Sequence, residues 1–256
     1  MIIDITRPHV GRIYDYVLGG TQNYEADRRA AEAILETVPA YPRWARLNRS
    51  FLRHVGACWA AEGFKNVLDL GSGLPTQGHF NEQMPGAKIL FADIDPLTVA
   101  QGQQLLAYSP DMAYANVDIR NPEALFEQAE AFFGPERRIA VGLIGIAYFL
   151  SDDEVRSMME RLHAFCAPGS AVALSFHHVP DGPDAELIRE TLFASAKLAR
   201  VGYYLRTPEH MAEVLAPWRT TITQPLQHWV GEETTPLVQP ENPIHRMTFL
   251  GAFAER

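Results

Sequence analysis

Only two of the 256 residues are cysteine, Cys58 and Cys166, and both stand alone in apolar helical contexts. Neither has metal-ligand spacing, so no metal is expected and a reduced, cytoplasmic compartment is the simpler reading. Positive charge is also scarce. Lys and Arg number 22 against 31 Asp and Glu, a net charge of −9. That balance argues against a non-specific grip on nucleic-acid phosphates, although it leaves room for a local basic pocket. The longest apolar run, Ile139 to Leu150, is interrupted by glycine and falls short of the ~20 residues a membrane span needs. The opening MIIDITRPHVGRIYDY lacks a basic start followed by an apolar core, so it does not read as a secretory signal. Internal repeats and low-complexity tracts are absent as well. What remains is 47% hydrophobic and 21% charged, the composition of an ordinary globule large enough for one α/β domain with an added cap.

The residues before Phe64 are helical in pattern. Ala30, Ala33, Ile34 and Val38 fit one helix face, closed by Pro39 and Pro42. A second helix is expected from Trp44 to Ala61, with Leu47, Phe51, Val55 and Cys58 on one side and Gly63 ending it. From there strand-like runs alternate with helical ones. The runs are VLDL, KILFADI, MAYANVD, RIAVGLIGI and SAVALSF, with helices expected near 79–83 and over 96–107, 122–133, 152–165, 183–197 and 208–215. Such alternation predicts a parallel sheet with right-handed crossovers. The tail departs from it: TTITQPL and HRMTFLGAF suit an antiparallel hairpin at the sheet edge.

The most informative stretch is KNVLDLGSGLPT at 65–76, a buried strand running into a glycine turn. Gly71 and Gly73 permit a tight turn and let a ligand press against main-chain atoms. Asp93 ends the next strand, 24 residues beyond Asp69, close to the ~20 at which a carboxylate meets a nucleotide ribose. The third glycine of a dinucleotide turn is replaced by Thr76, which weakens the case for a pyrophosphate. Asp118 ends the third strand in NVDIR. Ile94 and Ile119 offer apolar edges for a purine beside Asp93 and Asp118. Helix capping by Asp95 before Pro96, and turn chemistry at Asn121-Pro122, are the plainer roles for neighbouring polar residues. Acidic residues at successive strand ends suit a nucleoside cofactor that carries positive charge.

DLGSG, ADIDP and NVDIR together resemble the class I S-adenosylmethionine-dependent methyltransferase pattern. Arg12-Ile13-Tyr14-Asp15-Tyr16-Val17-Leu18-Gly19-Gly20, then Asn23-Tyr24 and Asp27, is similar to the RxYDYxLGG signature of a bacterial, largely actinobacterial family of S-adenosyl methyltransferases. DLGSGLPTQG at 69–78, NRSFLR at 48–53, APGS at 167–170 and LRTPEHMAEVLAPW extend the likeness over nearly the whole chain. The resemblance implies a Rossmann-like, seven-stranded, mostly parallel sheet with an antiparallel C-terminal hairpin. It also implies an N-terminal helical lid over residues 1–64 and a core over 65–256. It implies S-adenosyl-L-methionine as cofactor and S-adenosyl-L-homocysteine as product. Gly71 and Gly73 would approach the methionine part and the ribose, Asp93 the ribose hydroxyls, and Asp118 with Ile119 the adenine. Asp69 would sit behind the turn and accept hydrogen bonds. One helix carrying Tyr14, Tyr16 and Asn23 would fold over the cofactor, with the bend at Gly19-Gly20. Arg12, more than Arg49, would anchor the cofactor's carboxylate.

Methyl transfer is an in-line displacement in which the protein aligns the reactants and excludes water. A general base helps only a nucleophile that starts protonated. Two candidates for catalysis stand at strand ends: His177 as the base, and Tyr148, with Phe149, as a wall for an apolar acceptor. For Phe149 a core role competes with this. The family resemblance leads one to expect serine and histidine side by side, whereas here Phe176 separates Ser175 from His177. His210, Trp218 and Trp229 are explained equally by core packing. The leading expectation is methylation of an oxygen or nitrogen of a small molecule, a specialised metabolite, with no membrane or nucleic-acid partner and a homodimer left open. No Asn-Pro-Pro-Tyr type motif for base methylation is present. A cofactor-binding regulator or partner subunit without transferase activity is the alternative, and a nicotinamide-dependent reductase a third reading.

Overall fold

The computed structural model describes residues 4–74, 78–234 and 236–256. Pro75, Thr76 and Gln77, the middle of the LPTQG stretch, lie outside the described residues. Seven strands form one sheet: β1 Asn66–Leu70, β2 Lys88–Asp93, β3 Met112–Asn116, β4 Ile139–Leu143, β5 Ala171–His178, β6 Arg219–Pro225 and β7 Thr248–Glu255. Their order is β3-β2-β1-β4-β5-β7-β6. β1 to β5 pair in parallel, whereas β7 runs antiparallel to both β5 and β6. The sheet is therefore mostly parallel, Rossmann-like, and closed by a C-terminal antiparallel hairpin. β1 has β2 on one side and β4 on the other, so chain direction across the sheet reverses there. A crevice opens at the carboxyl ends of strands at such a switch point.

Three helices precede β1: α1 Val10–Val17, α2 Glu25–Thr37 and α3 Tyr41–Ala61. Those between and after the strands are α4 Phe80–Gln83, α5 Pro96–Leu106, α6 Glu123–Phe133, α7 Asp152–Phe165, α8 Ala185–Leu198, α9 Pro208–Val214 and α10 Leu226–Val230. Strand alternation divides the core in two. Val67, Ile89 and Phe91 share one buried cluster with Phe51 and Trp59 of α3 and Leu192 of α8. Leu68, Leu90 and Phe176 face the opposite cluster with Leu125 of α6, Met159 of α7 and Val214 of α9. Among the described residues no helix is long and apolar enough to cross a membrane.

Several boundaries differ from the sequence reading, each for a local reason. Pro42 does not close a helix but sits in the first turn of α3, where its missing N–H costs nothing. Cys58 is only half-buried, and Trp59 carries the core face of α3 instead. β3 ends at Asn116, so Asp118 belongs to the loop beyond it. β4 stops at Leu143, and Ala147–Phe149 form a single 3-10 turn rather than a strand end. Buried Arg206 fixes that turn by donating to the carbonyls of Ala147 and Leu150. The expected cap over 1–64 has no core of its own: Ile13, Ile34 and Phe51 join the cluster that covers the sheet.

Candidate active site

At the carboxyl ends of the strands lies a cleft of about 790 Å³, within the range of small-molecule and cofactor sites. The turn after β1 forms its floor. Gly71 and Gly73 take φ of +67° and +62°, the left-handed region that glycine enters without strain. A side chain on Gly71 would also strike Ile146 at 2.5 Å. The turn is fastened from three sides. Ser72 Oγ donates to the Asp69 carbonyl at 2.6 Å, the Tyr114 hydroxyl donates to the Gly73 carbonyl, and Gly73 N–H donates to Asp93 Oδ2 at 3.0 Å.

Asp93 is buried at the end of β2 and also accepts from Asp95 N–H at 2.9 Å. Burial pushes its carboxyl above the usual range, and the Asp95 and Gly73 N–H donors oppose that shift. Asp118 lines the cleft in the loop after β3, paired side-on with Arg120, whose hydrogen bonds hold the carboxyl below its ordinary value. Ile94 is half exposed at the mouth, whereas Ile119 is buried, and both line the wall. Arg49 of α3 completes it. The guanidinium contacts His79 and lies 5.7 Å from the Tyr14 ring centroid, but among the described residues it pairs with no carboxylate. The cleft thus sets Asp93 and Asp118 at one end of the sheet and Arg49, without a carboxylate partner among the described residues, near β1.

The model of the S-adenosyl methyltransferase family matches residues 1–245. The chain belongs to that family. S-adenosylmethionine is the cofactor, and the activity is that of an S-adenosylmethionine-dependent methyltransferase. A candidate methyltransferase from Thermobifida fusca YX is 27% identical, with a TM-score of 0.85 over 99% of this chain and 96% of that one. A DUF574 family protein from Streptomyces avermitilis is 25% identical, with a TM-score of 0.79 and full coverage of both chains. The fold alone is shared with a didemethyltoxoflavin N1-methyltransferase of Burkholderia thailandensis, at 16% identity, 91% coverage of each chain and a TM-score of 0.51. No curated protein matches the chain.

The methyltransferase cleft gathers some of the expected residues and leaves others out. Tyr14, Gly20, Gly71, Gly73, Asp93, Ile94, Asp118, Ile119 and Tyr148 line it. Arg12 does not. Its buried guanidinium is engaged by Asp27 at 2.9 Å, Asp95 at 3.0 Å and the Arg7 carbonyl at 2.9 Å. Arg49, unlike Arg12, lines the cleft. Tyr16 points away and bonds Glu32 of α2 at 3.1 Å. Asn23 lies in the link after α1, not on the Tyr14 helix, and donates to Asp15 Oδ2 and to the Gly20 carbonyl. Gly20 is needed because a Cβ there would run into the Asp15 carboxylate. Asp69 is buried behind the turn, and His79 Nδ1 stands 3.7 Å from its Oδ2, too far for a hydrogen bond.

His177 is displaced as well. β5 alternation turns Ser175 and His177 to one face and Phe176 to the other, so the intervening residue separates nothing functionally. Ser175 Oγ donates to Asn48 Oδ1 at 2.6 Å and accepts from Gly145 N–H at 2.8 Å, tying α3 to the loop after β4. His177 stacks on Tyr148 at 4.2 Å and lies behind the cleft wall. His210 bonds Asp152, which also holds Arg206, and so braces the 3-10 turn. Trp218 Nε1 donates to the Met159 carbonyl inside the core. Sequence reasoning missed Tyr114, Arg120, Asn48 and Tyr203. Arg120 was legible beside Asp118 in NVDIR; the others approach only through folding.

Proposed function

We propose that this methyltransferase transfers a methyl group to an oxygen or nitrogen of a small molecule, a specialised metabolite, held beyond the ends of β4 and β5. The carrying observation is the order of groups across the cleft: Asp118 after β3, Asp93 on β2, the glycine turn on β1 and the loop at 144–150 after β4. A ligand spanning them in that order ends its reactive part against the wall around Tyr148. Asp118 and Ile119 hold the adenine edge, Asp93 accepts from the ribose hydroxyls, and Gly71 and Gly73 admit the chain that follows. Arg49 takes the terminal carboxylate. Bound there, S-adenosylmethionine supplies an electrophilic methyl: the carbon–sulfur bond breaks as the bond from carbon to the acceptor forms, leaving a neutral thioether.

The chain's own contribution is alignment and exclusion of water. His9, Tyr14 and Gly20, from the segment around α1, close the cleft against β1 and β2. We assign residues 1–64 to this covering role and 65–256 to the sheet that carries the turn. Burial pushes His177 down to about 3, so it stays neutral and is no proton acceptor near pH 7. Tyr148 is pushed the other way by burial and keeps its proton. Neither His177 nor Tyr148 therefore takes a proton from the nucleophile near pH 7. A net charge of −9 supports an acceptor other than nucleic acid and a cytoplasmic, soluble setting; a homodimer is compatible with this reading.

Titration calorimetry with S-adenosylhomocysteine, S-adenosylmethionine and NAD tests the cofactor assignment, with binding of the first two and none of the third expected. Transfer of tritiated methyl to metabolite fractions tests the acceptor class. Label appearing in protein or RNA instead of small molecules would overturn it.

A further inference from the structure

The carboxylates that line the cleft stand on its β2 and β3 side. Asp93 and Asp118 are there, and Asp15 accepts from Gln22 N–H at 2.8 Å and from Asn23, in a segment that Gln22 ties to Gln101 of α5. The part beyond β4 is different. Tyr41, Tyr148, Phe149 and residues 199–201 bound it, with no acidic side chain among the described lining residues. Its cation is Arg200, just past the end of α8. Tyr204 N–H donates to the Tyr148 carbonyl at 2.8 Å, which fastens this segment to the 3-10 turn of the acceptor wall.

Arg200 occupies a position that glycine usually fills. α8 ends in a Schellman motif: Val201 N–H donates to the Ala196 carbonyl at 3.1 Å, and Arg200 N–H to the Lys197 carbonyl at 3.1 Å. The motif needs one residue in the left-handed region, and Arg200 takes it at φ +59°. A side chain is strained there, whereas glycine is not. Attraction to the helix dipole does not require this residue, because Lys197 already sets a cation in the last turn. Arg200 is exposed and makes no ion pair among the described residues. Asp4, whose carboxyl Thr6 chiefly holds below its ordinary value, feels its charge but pairs with Arg7 at 3.1 Å. Backbone strain kept at a cleft residue, with its cation left free, points to a ligand contact.

We propose that Arg200 is the specificity-determining residue for the methyl acceptor, pairing with an anionic group, a carboxylate or phosphate, on an aromatic small molecule. This rests on the functional reading above, which places the acceptor beyond the ends of β4 and β5. A guanidinium forks onto two oxygens of such a group. Tyr41, Tyr148 and Phe149 line the same part of the cleft and suit a ring. Arg200 then holds the far end of the acceptor and leaves its oxygen or nitrogen to face the methyl. With a net charge of −9 the chain as a whole repels anions, so the attraction has to be local. Arg49 is a separate cation, on α3 and assigned to the cofactor's carboxylate.

The test is calorimetry on the full chain saturated with S-adenosylhomocysteine, which occupies Arg49, with three probes: benzoate, phenyl phosphate and benzamide. At least one anionic probe should bind about tenfold more tightly than benzamide, and the tighter of the two names the group. Arg200→Gly should erase that preference while benzamide and S-adenosylhomocysteine affinities stay within about twofold. It should also melt at or above the native temperature, because glycine relieves the strain. Arg200→Gln, which keeps the strain, should erase the preference as well. No anion binding at about 10 mM, benzamide binding as tightly as the anions, or a preference that survives either variant would overturn the proposal. So would an Arg200→Gly chain that melts lower, since the arginine would then be structural. Failure of S-adenosylhomocysteine to bind overturns the cofactor reading instead, and the same probes on the cofactor-free native and Arg200→Gly chains still decide the role of Arg200.

Discussion

Arg12 donates to Asp95 across 3.0 Å, joining α1 to the loop after β2, and Asp95 N–H donates in turn to Asp93. The same guanidinium holds Asp27 at the start of α2, where Asp27 is fully buried. One cation therefore fastens the covering helices to the residue proposed to grip ribose. Asp95 also caps α5 through Thr98, so its orientation is overdetermined.

Arg12→Leu leaves two buried carboxylates without a counter-charge. Breaking a buried pair in this way costs about 3–5 kcal/mol, so the urea midpoint should fall steeply. Arg12→Lys should recover only part of the loss, because a point charge cannot serve both carboxylates and the Arg7 carbonyl as a fork does. Chemical denaturation of the three proteins checks this.

Asp93→Ala should reduce S-adenosylhomocysteine affinity by roughly 10- to 100-fold, the worth of about 1.5–3 kcal/mol for hydrogen bonds to a charged group. The fold should survive, since burial disfavours the ionised carboxylate. Calorimetry, together with a melting curve, separates the two effects. Unchanged affinity would remove Asp93 from the site.

Arg49 can be isolated by choice of ligand. Arg49→Ala should weaken S-adenosylhomocysteine about tenfold or more, as expected for a charge-assisted contact. It should leave methylthioadenosine, which lacks the amino-acid tail, unaffected. Equal losses for both ligands would point to a structural role through His79 and Tyr14.

His177 makes a pH prediction. Burial lowers its folded pKa to about 3 from an ordinary 6.5. Between those values the unfolded chain binds the extra proton, so the contribution is intact above pH 6.5 and falls away as pH drops toward 3. The slope from this group is at most about 1.4 kcal/mol per pH unit. His177→Gln should flatten the stability profile relative to the native chain across that window, read by urea melts at several pH values.

The sequence by itself determined the alternation of strands and helices, the glycine turn at Gly71-Ser72-Gly73 and the carboxylates at Asp93 and Asp118. Those signals are local: period-two apolar runs, a backbone that needs positive φ, and acidic residues just past strand ends. Tertiary structure alone decided which of Arg12 and Arg49 faces the cleft. Arg12 and Arg49 carry the same charge in equally promising motifs. Asp27 and Asp95 reach Arg12 only because folding brings α2 and the loop after β2 together, 15 and 83 residues away along the chain. His177 was settled in the same way, since burial against Tyr148, Trp44 and Phe249 comes from three distant segments and keeps a nominal base neutral. Charge pairing and desolvation depend on neighbours in space, and no spacing along one chain encodes them.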